Sequence, residues 1–256
     1  MPKQKQSKID TRLPVIKRQD ATGTGGLRRS YQSNIYSLFN TYAEKLKPRI
    51  NRLLNRVGNQ GFIKEFLEKL DDTQNVVINA GAPKIINEHI TRSYTRGKQV
   101  AANNPRLRRD TILIDSKLSR TDNMALEDLK TRNFILIKNA GETMKNRLLQ
   151  TMTEDIRQGK SIEEMAKHIQ ENIVDIGRSK SRTIARTEIA YSYNSAIAKT
   201  YQDANIERWQ WLSALGYSTC QECMSKHGNI YNWDDEQPPI HPNCLCTIYP
   251  IIERET

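Results

Sequence analysis

Near the C-terminus, four cysteines and a histidine have the types and spacing that carry chemistry. Cys220 and Cys223 have two residues between them, and His241-Pro242-Asn243-Cys244-Leu245-Cys246 follows. A Cys-x2-Cys turn aims two thiolates at one ion, and zinc takes four such ligands tetrahedrally. The second group offers three candidates for two places. His241 and Cys244 repeat the two-residue gap, while Cys244 and Cys246 share a face of an extended strand. His227 is a weaker extra candidate. The same residues also admit a set of reduced, partly buried thiols, or a redox disulfide. We read a structural metal, because a short β cap with few apolar residues needs a staple. A filled four-ligand site leaves no open position for water, which argues against zinc catalysis.

All four cysteines lie within 27 residues and none occurs in the first 219. A disulfide-stapled secreted protein spreads its cysteines over the fold. Local clustering, with no apolar stretch behind the basic N-terminus to make a secretory signal, reads as a metal site in a reducing compartment.

Arg186-Thr187-Glu188 is the second group of interest. An Arg and a Glu two apart in a helix do not face each other, so each must bind something else. The reading favoured here is a structural motif locking helix to cap; the other is a catalytic glutamate. His241 with Asn243 also resembles part of a His-Asn-His nuclease. That chemistry needs a second His and a metal with open positions, which the proline-rich loop does not supply nearby. An enzyme, a metal-containing nuclease or transferase using Glu188 or His241, therefore stands as the alternative.

Charge is distributed unevenly. The chain has 256 residues and a formal net charge of +11. Residues 1–60 hold 13 basic and 3 acidic side chains, a net of +10, and residues 217–256 a net of −4. Lys3, Lys5, Lys8, Arg12, Lys17, Arg18, Arg28 and Arg29 lie in residues 1–30, which have few large apolar side chains. This stretch is expected to be a flexible basic arm, since it cannot bury enough surface to offset its ordering entropy. Lys45, Lys47, Arg49, Arg52 and Arg56 follow on one helical face. Alone they read equally as a solvated face; with the arm attached, they read as a site for phosphates. The longest uninterrupted apolar run, Phe134–Ile137, is far short of the roughly 20 residues a membrane span needs.

The elements that must position these groups are mainly helical. Three-and-four spacing of Ile35, Leu38, Phe39, Tyr42, Leu46, Ile50, Leu53 and Val57 predicts a helix from Tyr31, kinked or interrupted at Pro48 and ended by Gly58 and Gly61. Further helices are expected over about 62–70 and 83–102. A long one should run from Thr121 or Asp122 to about Gln158, with Gly159 as its stop. Ser161 and Glu164 form a capping box for a helix to about Ile173, and another runs from about Arg178 to near Asn205. Beyond it, Glu207–Leu212 alternates like a strand with Trp209 and Trp211 on one face. His227-Gly228-Asn229 is a turn into Ile230–Trp233, and Leu245–Ile251 is a closing strand broken by Pro250. The fold class is mainly α with a small C-terminal α+β cap. Its divisions are an arm at 1–30, a helical region at 31–120 and a domain at 121–256 whose cap is 206–252.

The order Thr183-Ile184-Ala185-Arg186-Thr187-Glu188-Ile189, Asn194, Ala196, Trp209, Cys220-x2-Cys223, His227-Gly228, Pro238-Pro239-x-His241-Pro242-Asn243-Cys244-x-Cys246 resembles the phage Mu protein F-like family of minor head, or head morphogenesis, proteins. Arg157–Ala166 is similar to the family's helix start, and the likeness covers roughly residues 125–250. The chain departs from the family pattern at Gly216 and Ser218, where members often carry Asp and Arg, and at Leu245, where they often carry Arg. The resemblance implies a virion protein, assembled in the host cytoplasm and held inside the head near the portal. Its implied partners are portal protein, major capsid protein and packaged double-stranded DNA. Some relatives carry toxin domains after this module. The chain ends ten residues after Cys246, so none is expected here.

Overall fold

The computed structural model describes residues 8–9, 11–14, 20–54, 62–110 and 112–254. The helices are α1 (Gly25–Leu54), α2 (Phe62–Gln74), α3 (Ala80–Ala102), α4 (Pro105–Arg109), α5 (Arg120–Arg157), α6 (Ile162–Asp203) and α7 (Gln221–Lys226). The strands are β1 (Lys8–Ile9), β2 (Arg208–Leu212), β3 (Ile230–Asn232), β4 (Thr247–Ile251) and β5 (Glu253–Arg254). A mainly helical chain with a small antiparallel cap is thus borne out. Two compact units divide it, one from Met1–Arg28, His89–Glu127 and Arg186–Thr256, the other from Arg29–Glu88 and Asp128–Ala185. They alternate along the sequence, whereas the expected divisions were consecutive.

In the second unit, Ile35, Phe39, Tyr42 and Leu46 of α1 form a buried stripe. Its core also contains Ile137, Met144, Leu148 and Met152 of α5 and Ile169 and Ile173 of α6. The capping box forms as expected: Ser161 Oγ accepts from the Glu164 N–H at 3.2 Å, and the Glu164 carboxylate accepts from the Ser161 N–H at 2.9 Å. Three expectations about helix limits need correction. Pro48 lies inside α1 without ending it. The segments expected at 62–70 and 83–102 are one helical run, because a π turn at Asn75–Asn79 joins α2 to α3. The extra residue in that turn shifts the apolar phase and hides the continuity from a 3.6-residue reading. Finally, α6 does not stop near Ile173. Gly177 weakens a helix on propensity, yet a Cβ there would stand 3.2 Å from Phe39 Cβ and 3.4 Å from Met144 Cε. The glycine serves close packing and is not a terminus.

The first unit carries the cap. Strand β2 is central in a sheet of order β3-β2-β4, antiparallel throughout. Trp209 lies opposite Tyr231 on one side and Pro250 on the other. Pro250 was expected to break the last strand, but β4 is an edge, where a missing N–H is tolerated. Trp209 and Trp211 are fully buried, and Tyr231 stacks on Trp209 with ring centroids 4.8 Å apart. Residues Tyr193, Ile197 and Tyr201 of α6 share this core with Cys223, Cys244 and Cys246. Where α3 meets α6, Gly97 has no room for a side chain: a Cβ would stand 2.3 Å from the Tyr193 carbonyl oxygen.

Residues near the N-terminus join this unit. Lys8–Ile9 pairs antiparallel with Glu253–Arg254, and the Arg106 guanidinium donates to the carbonyls of Pro250 and Arg12, both at 2.6 Å. The residues described there are thus tied down, in contrast to the flexible arm expected from composition.

A buried ion pair closes the start of α5. The Asp122 carboxylate pairs with the Lys98 ammonium and accepts from Tyr94 Oη at 2.9 Å and the Ser119 N–H at 2.7 Å. Burial alone would raise its pKa, but the bonds from Lys98, Ser119 and Tyr94 prevail and hold it down to about 2. Its folded value therefore lies below the value of about 3.9 for an unfolded aspartate. The native state binds fewer protons, so the stabilisation is complete above about pH 5 and is lost as pH falls toward 2. Denaturant melts of wild type between pH 5 and 2.5 should lose about 2 kcal/mol from this group. Asp122→Asn should lack that component and be less stable by about 3 to 5 kcal/mol at neutral pH, because Lys98 loses its buried partner.

Candidate metal centre

Strand β2 runs out through residues 213–219 to α7, whose N-cap is Cys220. The Cys220 Sγ accepts from the Cys223 N–H at 3.3 Å, so one helical turn sets the Cys-x2-Cys spacing. The second group, His241 to Cys246, precedes β4. Here the Cys244 N–H donates to the His241 carbonyl at 3.2 Å, and Asn243 has φ +66°, a conformation asparagine tolerates better than most residues.

These segments bring the five donors together. His241 Nε2 lies 3.2 Å from the Sγ of Cys220 and 3.2 Å from that of Cys223, and Cys223 Sγ lies 3.7 Å from Cys244 Sγ. The donor atoms of Cys220, Cys223 and His241 lie within 4.8 Å of one another, as do those of Cys223, Cys244 and Cys246. Ligands about 2.0 to 2.3 Å from a tetrahedral zinc are themselves about 3.5 to 3.8 Å apart. The distances within each triple are of this order, and Cys223 belongs to both triples. None of the cysteines is bridged. A cavity of about 30 Å³ between the donors, also lined by Arg186, has room for one ion.

Electrostatics fits the same occupant. The Cys223 N–H and the neighbouring His241 lower the Cys220 pKa. Burial, and then the charge of Cys244, pushes Cys223 up to about 12. A hydrogen bond with Cys246 and burial raise Cys244, while the same bond lowers Cys246. Burial works against a charged His241, but the Pro242 carbonyl and the adjacent cysteines outweigh it and raise its pKa. Four thiols so close cannot all ionise by themselves; a cation makes the thiolate form the stable one. His241 Nδ1 lies 2.9 Å from the Pro242 carbonyl, and an N–H donated there leaves the Nε2 lone pair directed at the sulfurs.

His227 is not brought into either donor group. Its Nδ1 accepts from the Ser213 N–H at 3.0 Å, at the end of α7, and burial lowers its pKa. Ser213 is a residue the sequence did not single out: its hydroxyl donates to the Cys223 carbonyl and accepts from Cys246 Sγ at 3.6 Å. Within Arg186-Thr187-Glu188 the three side chains have different surroundings. Arg186 lines the donor cavity, and Thr187 Oγ1 accepts from the Asn243 N–H at 3.0 Å. Glu188 is 1% exposed and is not among the residues lining that cavity. Further along α6, Asn194 Nδ2 donates to the Cys246 carbonyl at 2.9 Å, and its Oδ1 accepts from Thr247 Oγ1 at 2.7 Å.

The basic candidates have different surroundings. Lys3, Lys5, Lys17, Arg18 and Arg56 lie outside the described residues, as do the side chains of Lys8 and Lys47. Arg28 is neutralised by a two-pronged bond to Asp20, at 3.2 and 2.7 Å, and is nearly buried. Arg49 is exposed and donates to Thr73 Oγ1 at 2.5 Å. Arg12, Arg29, Lys45 and Arg52 are exposed as well. No helix among the described residues is long and apolar enough to cross a membrane.

No curated protein and no solved structure matches the chain. Residues 146–249 match the family model described as Phage Mu protein F like protein. The matched span contains all five Cys/His donors, Thr187 and Asn194. Residues 146–249 are thus similar to the phage Mu protein F-like family, and the resemblance read from Thr183 to Cys246 is borne out.

Proposed function

We propose that the chain is a minor capsid and head morphogenesis protein of a tailed phage. In this reading it resides in the head near the portal, contacts portal and major capsid proteins, and assists assembly and DNA packaging or ejection. The match over residues 146–249 carries the reading. Mass spectrometry of purified virions should detect the chain in DNA-filled heads. Its presence in the lysate but absence from both proheads and virions would overturn the assignment.

The cap is a structural zinc site in this proposal. Thiolates with one imidazole are a donor set zinc prefers; Cys220, Cys223 and His241 supply three such groups within 4.8 Å of one another, and Cys244, 3.7 Å from Cys223, is the fourth in this reading. Cys246 stands beside them on Ser213. The ion supplies a cross-link between the two ends of a small cap, and with it folding free energy. A donor set filled by protein, with Glu188 outside the cavity, supports a non-enzymatic role over the Glu188 or His241 alternative. Elemental analysis of purified protein should find one zinc per chain. Cys220→Ser should lose most of it, and His227→Ala should keep it; metal-free wild type would refute the site.

The basic N-terminal residues hold packaged DNA in the same reading. Exposed Arg29, Lys45 and Arg52 support it, together with the net +10 of residues 1–60. Binding through phosphates is independent of sequence and weakens steeply with salt. Deleting residues 1–30 should reduce both the affinity for duplex DNA and the slope of log affinity against log salt. Unchanged values would transfer the arm's role to protein docking, which pull-down of portal by the same truncated chain then tests.

A further inference from the structure

We propose that Thr187 and Asn194 of α6 are positioning residues that hold the His241–Cys246 half of the cluster in ligating geometry before any ion arrives. The proposal rests on the metal reading of the cap and deepens it. Seven residues apart in one helix, the two side chains lie on the same face, about 10 Å apart along the axis. Both reach the backbone of the second donor segment. Thr187 Oγ1 takes the N–H of Asn243, the residue between His241 and Cys244. Asn194 Nδ2 holds the Cys246 carbonyl, and its Oδ1 takes the Thr247 hydroxyl where β4 begins. Cys244 is thus bracketed by two anchors that belong to another element.

That arrangement matters because residues 241–246 form neither helix nor strand. Such a segment has no ladder to fix where its donors point, and Asn243 sits at a positive φ. The helix that bears the anchors is also held by contacts that do not involve the cluster. Ser93 Oγ of α3 donates to the Ile189 carbonyl at 2.8 Å, and Ser192 Oγ donates back to the Ile90 carbonyl at 3.2 Å. The glycine contact at Gly97 lies between the same two helices. Position therefore passes from the α3–α6 pair to the donors. A small metal module without such a support is typically unfolded when empty; the two α6 anchors are a support of that kind.

Neither anchor touches the donor atoms in any contact described, so their effect should be read at the ion. The probe is cobalt(II), whose visible bands report the number and geometry of thiolate ligands. Thr187→Val keeps shape and removes the hydroxyl acceptor; Asn194→Ala removes both amide bonds. Each should weaken cobalt affinity about tenfold or more and alter the band intensities, with far-UV circular dichroism unchanged. Thr187→Ser should restore both affinity and spectrum. Wild-type affinity and an identical spectrum in Thr187→Val and Asn194→Ala would overturn the proposal while leaving the metal site standing. Wild type that takes up no cobalt would instead remove the metal reading and this one with it. Should Asn194→Ala fail to fold, the Thr187→Val and Thr187→Ser pair decides, because Thr187 is at the half-buried rim.

Discussion

Three sulfurs share one small buried volume in the cap: Cys223 and Cys244 are 3.7 Å apart, each 2% exposed, and Cys246 is beside them. Two unit charges about 4 Å apart near a protein surface repel by about 4 kcal/mol. Without a cation most of these groups must stay protonated, and a cation would favour their ionised form. The same sulfurs pack with Trp209, Trp211 and Ile248 in one core, so the donor set is also part of what the sheet rests on. A cap of three short strands has little other apolar mass. Its stability and its affinity for an ion are consequently the same property, seen from two sides.

This coupling explains why α6 reaches so far into the cap's chemistry. Backbone groups beside buried donors need partners, and residues 241–246 have no neighbouring strand to supply them. Thr187 and Asn194 fill that role from the helix. Arg186, beside Thr187 in α6, contributes to the wall of the donor cavity. Glu188 meanwhile is turned into the protein, which is why a catalytic role for it finds no support in the cavity.

Sequence periodicity made some of this legible. The limits of α5, the capping box at Ser161 and Glu164, the alternation of Trp209 and Trp211, and the Cys-x2-Cys turn are all local patterns, and all are found in the structure. What escaped was governed by contacts distant in sequence. The break expected between Ile173 and Arg178 does not occur, and Gly177 lies there in close contact with Phe39 and Met144. The π turn at Asn75–Asn79 breaks the 3.6-residue phase that the reading relies on. The anchors join residues 56 and 52 positions apart, and no spacing rule reaches that far. Charge was legible as a total but not as a display: Arg28 counts toward +10 in the sequence, yet Asp20 neutralises it.

The departures from the family pattern test how much of the cap this geometry requires. At Gly216, Ser218 and Leu245, where the sequence reads as departing from the family pattern, none of the residues supplies a donor atom. The Gly216 N–H is bound by Thr219 Oγ1 at 3.0 Å and its carbonyl accepts the Thr219 N–H at 2.8 Å, so that loop closes through its own backbone. Leu245 separates two cysteines whose positions are set by the bracket around Cys244 and by Ser213 beneath Cys246. The three positions thus lie close to the donor groups without belonging to them, and what holds the His241–Cys246 segment is the pair of α6 side chains together with Ser213.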